Sequence, residues 1–308
     1  MKTVYFDHAA TTPLDERVLE AMMPYLKESY GNANSAHHLG QKSKSVVEEA
    51  REKVAKLIGA KPTEVVFTSG GTESDNAVIK GVLAVSEGKN EVVTSELEHH
   101  AVLHTVEMEK MHDIKPVFAE PRNCGTITAD AVREVITENT ALVTLMHVNN
   151  EIGTINPLSE IAEVCKEFDV PLHSDTVQSL GKIPVNVEEL GLDFLSGSGH
   201  KIYGPKGVGI MYVRNGWIPW MIGGSQERRR RGGTLNVPGI VGFAKALELS
   251  VQEMDENTRH YKNLRETLLT QLKQKLSVNV RVNGPQDKGA PHIVNLSFSD
   301  NDGNFISG

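Results

Sequence analysis

Cysteine is scarce: Cys124 and Cys165 are the only two in 308 residues. So few cannot form a disulfide scaffold, and their spacing is not that of a zinc knuckle, so we expect a reducing, cytoplasmic setting and no metal site. Long apolar runs are missing too. No stretch reaches the roughly 20 residues that a bilayer-spanning helix needs, and Met1-Lys2-Thr3-Val4 does not lead from a charged segment into an apolar one. No membrane association and no cleaved leader are expected. Positive charge is not in excess: 32 Lys and Arg against 40 Asp and Glu leave a net −8. That balance repels phosphate backbones on average and argues against direct nucleic-acid binding. We find no internal repeat, low-complexity tract or long linker.

What is present is a hydrophobic content of 39%, enough for one large core or two unequal ones. After Pro13-Leu14, Asp15 is placed to cap a helix running through Val18, Met22 and Leu26, and a second helix is expected from about Gln41 to Ile58, stopped by Gly59. Short β-branched runs follow at Glu64–Thr68, Glu91–Thr94, Lys115–Ala119, Ala141–Met146, Val170–His173, Asp193–Ser196 and Gly207–Val213. Between most of them lie helical patterns at Thr72–Val85, Ala101–Met111, Ala129–Ile136 and Leu158–Phe168. Such alternation predicts an α/β fold: a mainly parallel, seven-stranded sheet with helices on both faces. From Asn236 a long helical stretch is expected to reach about Leu276, followed by strands at Asn279–Val282 and His292–Phe298. We expect an N-terminal segment over 1–14, a large domain over 15–250 and a small, incomplete α+β domain over 251–308.

Three local features suggest one chemistry. Phe67-Thr68-Ser69-Gly70-Gly71-Thr72-Glu73-Ser74 passes from a strand through two glycines into a helix start, where backbone N–H groups and hydroxyls can hold an anion. Neither a dinucleotide fingerprint nor a nucleotide-triphosphate loop is present there. Asp175 follows the apolar run Val170-Pro171-Leu172-His173, at the end of a strand where α/β sheets bind ligands, with Gln178 just beyond. Lys201 closes Ser196-Gly197-Ser198-Gly199-His200-Lys201, again just past a strand. A phosphate cup, a strand-end carboxylate and a strand-end amine are the groups that pyridoxal 5'-phosphate requires. In that assignment Asp175 keeps the ring nitrogen protonated, and burial lowers the proton affinity of Lys201.

At this point the residues resemble a known family. Tyr5-Phe6-Asp7-His8-Ala9-Ala10-Thr11-Thr12-Pro13, the Phe67–Asn76 segment, Glu98-His99, Asn149-Asn150-Glu151-Ile152-Gly153, Asp175 with Gln178, and His200-Lys201 are similar to the cysteine desulfurases of iron–sulfur assembly, from Met1 to about Phe298. The resemblance implies a fold-type I pyridoxal-phosphate enzyme, a homodimer, that removes sulfur from L-cysteine and leaves L-alanine. It implies Lys201 as the Schiff-base lysine, Asp175 as the pyridinium partner, Gln178 as donor to the ring hydroxyl and His99 as the imidazole stacked on the ring. Gly71, Thr72, Ser198 and His200 then correspond to phosphate ligands, and Asn150 to a contact with cofactor and substrate. In Glu227-Arg228-Arg229-Arg230-Arg231-Gly232-Gly233-Thr234 the resemblance implies a dimer-interface segment whose Thr234 touches the neighbouring subunit's phosphate. Arg228 and Arg231 match the family's arginine positions, whereas Arg229 and Arg230 replace small or apolar residues.

The family reaction ends on a cysteine thiolate, which must be accessible and deprotonated. Cys165 falls within a helical run and is expected to be a buried structural thiol; Cys124 sits in a turn-like Arg122-Asn123-Cys124-Gly125. The family's acceptor lies in a Ser-Gly-Ser-Ala-Cys-like loop after the last strand, whereas the sequence given runs out at Phe305-Ile306-Ser307-Gly308. We therefore expect residues 1–308 alone to turn over little cysteine. The sulfur-accepting partner implied is a scaffold or a tRNA-thiolation protein. Two other readings are a cofactor-binding but sulfur-inert dimer serving as a partner platform, and a related selenocysteine lyase or aminotransferase.

Overall fold

The computed structural model describes residues 3–300 and 303, so the Met1 start and the Phe305–Gly308 ending lie outside the described residues. Seven short strands form the main sheet: β1 (Val65–Thr68), β2 (Glu91–Thr94), β3 (Lys115–Phe118), β4 (Thr140–Thr144), β5 (Leu172–Asp175), β6 (Phe194–Ser198) and β7 (Gly209–Val213). Their order is β1-β7-β6-β5-β4-β2-β3. The pairs β2–β3, β2–β4, β4–β5 and β5–β6 are parallel, as expected of βαβ units. Strand β7 runs antiparallel to both β1 and β6. Its link from Ser198 is too short for the crossover of a dozen or more residues that a parallel pairing demands.

Helices α1 (Glu16–Lys27), α2 (His38–Ile58), α3 (Gly71–Leu83), α4 (His100–Met108), α5 (Ala129–Arg133), α6 (Leu158–Glu167), α7 (Val237–Gln252) and α8 (Met254–Lys275) complete the chain's main elements. Alternation along the strands assigns them to two faces of the sheet. Val65, Phe67, Val143 and Leu195 pack with apolar residues of α1, α2, α5, α6 and α7. Val66, Leu142, Phe194 and Met211 point the other way, onto Ala77, Val78 and Val82 of α3 and Val102 and Val106 of α4. Because both faces are covered, β1 and β4 to β7 are buried at every residue, apolar through most of β1, β4 and β7 and turning polar toward the ends of β5 and β6. Asp15 caps α1 by accepting from Arg17 N, and Gly59 ends α2 in the left-handed region at φ 73°.

Three expectations about element bounds need correction. Helix α2 starts at His38, ahead of Gln41, because His37 caps it through Gly40 N. The long helix from Asn236 is two helices. It breaks at Glu253 (φ −96°, ψ 4°), whose carboxylate is engaged by Arg17 at 2.5 Å, and Asp255 and Glu256 open the first turn of α8. The last strand begins at Asn295 rather than His292, because Ile293 N turns back to Ala290 O. Strands β8 (Asn279–Asn283) and β9 (Asn295–Ser299) form a separate antiparallel pair. Among the described residues no helix is long and apolar enough to cross a membrane.

Candidate active site

The expected residues meet at the carboxyl ends of β1, β5 and β6. Asp175 is the last residue of β5, Ser198 the last of β6, and a 3₁₀ turn over Gly199–Lys201 carries His200 and Lys201 outward. From β1 the chain passes through Ser69 and Gly70 into α3, which starts at Gly71. One cavity of about 660 Å³ is lined by Gly71, Thr72, Ser198 and His200 on one side. Asp175, Gln178, Lys201, His99 and Asn150 line the same space. Thr234 is exposed and not part of that lining.

The start of α3 is built to receive an anion. The first-turn N–H groups of any helix lack intrahelical acceptors, and Gly70, without a side chain, supplies no capping acceptor in their place. At Gly71 a Cβ would fall 2.7 Å from Val177 Cγ2, so only glycine allows the turn to lie this close to the segment after β5. Ser198 stands opposite, its Oγ 3.6 Å from where a Cβ on Gly70 would be.

Lys201 Nζ donates to the carbonyls of Ala9 and Ala10 at 2.5 and 2.9 Å. Burial lowers its proton affinity, against the pull of Asp175, Asp7 and Glu151. Asp175 is buried, and one of its oxygens accepts from Val177 N at 2.8 Å. Burial pushes its carboxyl up, opposed by that amide and by the charges of His99 and Lys201. A protonated ring nitrogen would relieve this cost by giving the carboxylate a partner. His99 caps α4 by accepting from Ala101 N through Nδ1, which leaves Nε2 for a ligand. His200 Nδ1 meets Thr11 Oγ1 at 3.1 Å, and burial with three neighbouring lysines holds its pKa at about 4. Neutral at physiological pH, it can donate one N–H to a phosphate. Gln178 is already engaged: its Nε2 donates to Ala9 O at 2.8 Å and its Oε1 accepts from Lys182 Nζ at 3.0 Å. Asn150 Nδ2 donates to Glu151.

Amine, carboxyl and anion cradle share one cavity, and their chemistry fits pyridoxal phosphate. The class-V aminotransferase profile matches residues 4–306. The chain belongs to the class-V aminotransferase family. Members of this family are pyridoxal-phosphate enzymes. Within it, a cysteine desulfurase IscS of Dictyoglomus turgidum is 46% identical, covering 99% of this chain and 78% of its own. A cysteine desulfurase IscS of Methanosarcina thermophila is 42% identical over 96% of this chain and 74% of its own. A solved NifS-like protein superposes with a TM-score of 0.93 at 40% identity, covering 96% of this chain and 82% of that one. Another solved relative, described as SspA in complex with cysteine, gives 0.85 at 37% identity, covering 98% of this chain and 85% of that one.

Several residues at this class-V site were not picked out from the sequence. Asp75 lines the cavity with both carboxyl oxygens buried, one of them 3.7 Å from His173 Nε2, and burial together with Asp175 pushes its carboxyl well up. Glu98, quoted above without a role, accepts from Met146 N through one oxygen and leaves the other bare. Lys182, half-buried, shares a neighbouring cavity with Lys201, and desolvation with that nearby charge lowers its pKa to about 7. Its spacing of four from Gln178 was the one available signal. His292, half-buried with both ring nitrogens shut off from solvent, lines the wall contributed by the C-terminal segment. The two thiols separate as expected: Cys165 is buried and pushed up to about 12, whereas Cys124 is exposed and lines a different cavity beside Ile152 and Arg281.

Proposed function

We propose that this protein is a pyridoxal-phosphate-dependent cysteine desulfurase, working as a homodimer in the cytoplasm. One observation carries the proposal: the Lys201 amine, the Asp175 carboxyl and the open start of α3 line a single cavity. The relatives named as cysteine desulfurases supply the substrate class, L-cysteine. When bound, the cofactor supplies an electrophilic aldehyde and an electron-withdrawing ring. Asp175 would hold the ring nitrogen, His99 would face the ring, and Gln178 would hold its hydroxyl. Gly71, Thr72, Ser198 and His200 would hold the phosphate, joined by Thr234 of the neighbouring subunit, and Asn150 would contact cofactor and substrate.

Lys201 does the proton work. Its lowered proton affinity keeps a fraction of the amine neutral, able to take the Cα proton of cysteine and return one to the product. An acceptor thiolate attacks the substrate sulfur; the carbon–sulfur bond breaks, its electrons remain on carbon as alanine forms, and the acceptor becomes a persulfide. A buried thiol with a pKa of about 12 disqualifies Cys165 from that role, and Cys124 faces a different cavity. The sulfur then passes to an iron–sulfur scaffold or a tRNA-thiolation protein. Residues 15–250 serve as the cofactor-binding body, with Ala9 and Ala10 of the 1–14 segment bonded to Lys201 and His292, Ile293, Val294 and Asn295 of the 251–308 domain supplying the far wall.

The test uses purified protein loaded with pyridoxal phosphate. Wild type is expected to show a visible absorbance band that L-cysteine shifts, and to form alanine when a small thiol is added as acceptor. Lys201→Ala should lose the band and the turnover together. A wild-type protein that stays colourless, or one that transaminates alanine but ignores cysteine, would overturn the assignment.

A further inference from the structure

The arginine run Arg228–Arg231 is bound to its own chain. Arg228 Nη2 reaches Glu48 at 2.6 Å, and Arg230 Nη1 donates to Thr63 O at 2.7 Å. Arg231 donates from Nε and Nη2 to the two oxygens of Glu73, at 2.8 and 3.0 Å. Glu73 is the third residue of α3, and its Oε2 also accepts from Ser69 N at 2.8 Å. One guanidinium, one carboxylate and one backbone amide thus connect the arginine loop to the turn that forms the anion cradle.

The other end of the loop is fixed to the strand that enters the same turn. Glu227, with a fully buried carboxylate, accepts from Arg51 Nη1 and Nη2 at 2.7 Å each and from Phe67 N at 2.8 Å. Between the two anchors Glu227, Arg228 and Arg229 all lie in the left-handed region, at φ 44°, 57° and 66°. Three successive non-glycine residues persist there only where surrounding contacts over-determine them. The loop is therefore held to β1 and α3 from both sides of Ser69–Thr72.

We propose that Arg231 is a positioning residue for the cofactor phosphate. Acting through Glu73, it fixes the Ser69–Thr72 turn and cancels a carboxylate charge that would otherwise compete with phosphate for the start of α3. An anion in the first turn takes the same positive end of the helix that a bound phosphate uses. Burial pushes the Glu73 carboxyl up, but the hydrogen bonds from Arg231 and Ser69 outweigh it and hold the group below its ordinary value. Glu73 is thus charged at neutral pH, and Arg231 is its only guanidinium partner among the described residues. This inference rests on the pyridoxal-phosphate assignment above and adds a residue outside the cavity lining to it.

The experiment compares two ligands that differ by the phosphate. Dissociation constants for pyridoxal phosphate and for pyridoxal are measured by absorbance titration of wild type, Arg231→Gln and Arg231→Lys. Arg231→Gln should weaken pyridoxal phosphate about tenfold, the scale of one charge-assisted hydrogen bond, while pyridoxal changes less than about twofold. Arg231→Lys, which keeps the charge and loses the fork, should fall between, and it carries the same comparison if the glutamine variant does not fold. Adding Glu73→Gln to Arg231→Gln should recover part of the loss by removing the unpaired carboxylate. Amide exchange at Ser69 should quicken in Arg231→Gln without any ligand. Equal weakening of both ligands, or no weakening of either, overturns the proposal. Wild type that binds pyridoxal but gains nothing from the phosphate does so as well. A wild type that binds neither ligand removes the cofactor assignment along with it.

Discussion

The seven-stranded body and the segment formed by α8, β8 and β9 are built differently. In the body, β1 and β4 to β7 are buried at every position, and the site residues stand on their ends. In the C-terminal segment no residue of α8 is buried, and β8 and β9 are half-exposed throughout. Yet that segment supplies one wall of the cavity, through His292, Ile293, Val294 and Asn295. It is tied to the body there by few bonds, among them Ala290 N to Gly153 O and Asn295 Nδ2 to Glu151 O. The body thus sets the geometry of the reacting groups, and the segment closes the space around them.

Stability should separate the two regions most sharply. Phe194→Ala, in the middle of the sheet and 1% exposed, is expected to cost about 3–5 kcal/mol, read as a shift in urea midpoint. Leu264→Ala on α8, 53% exposed, should cost less than about 0.5 kcal/mol. Comparable losses would mean that α8 is as deeply packed in solution as the sheet. Charges should show a similar contrast. Glu227→Ala strands the buried Arg51 and should cost roughly 3 kcal/mol, whereas Glu253→Ala, which removes the exposed partner of Arg17, should cost under about 1 kcal/mol.

Catalysis comes next in size. Asp175→Asn should lower kcat/KM for cysteine by roughly a hundredfold, because the preorganised charge is lost while the shape is kept. Asn295→Ala, on the wall from the other region, should lower it by less than about tenfold and act mainly through KM. A reversal of those two would place the chemistry on the wrong region. The smallest effect is a slope. Burial holds His173 at about 3 against an ordinary 6.5, so it stays neutral in the fold while the unfolded chain gains a proton below 6.5. Stability that it contributes is complete above pH 6.5 and is lost as pH falls toward 3. His173→Asn should flatten the acid limb of a stability–pH curve; an unchanged limb would show that other groups dominate it.

Much of the body was legible because burial on both faces writes itself into the sequence as apolar runs between helical patterns. Asp175 and Lys201 were legible for a related reason: each follows such a run directly, where ligands bind. Less visible were features created by contacts between distant segments. The break at Glu253 coincides with that residue's ion pair to Arg17, the pairing of Arg231 with Glu73 spans two elements, and Asp75 faces the cavity from inside α3. Periodicity cannot report such meetings, since nothing local distinguishes Asp75 from an ordinary helix residue. The start of β9 lies later than the sequence pattern suggests because Ile293 and Val294 read as strand, while the backbone at Ile293 turns back on Ala290.

The carbonyls of Ala9 and Ala10 occupy the protons of Lys201 before any ligand arrives. Both oxygens favour the charged form of the amine, which is the unreactive one, and so oppose the burial that lowers its basicity. Chemical labelling of Lys201 should accordingly be slow until something with higher affinity than the protein's own leading segment takes its place.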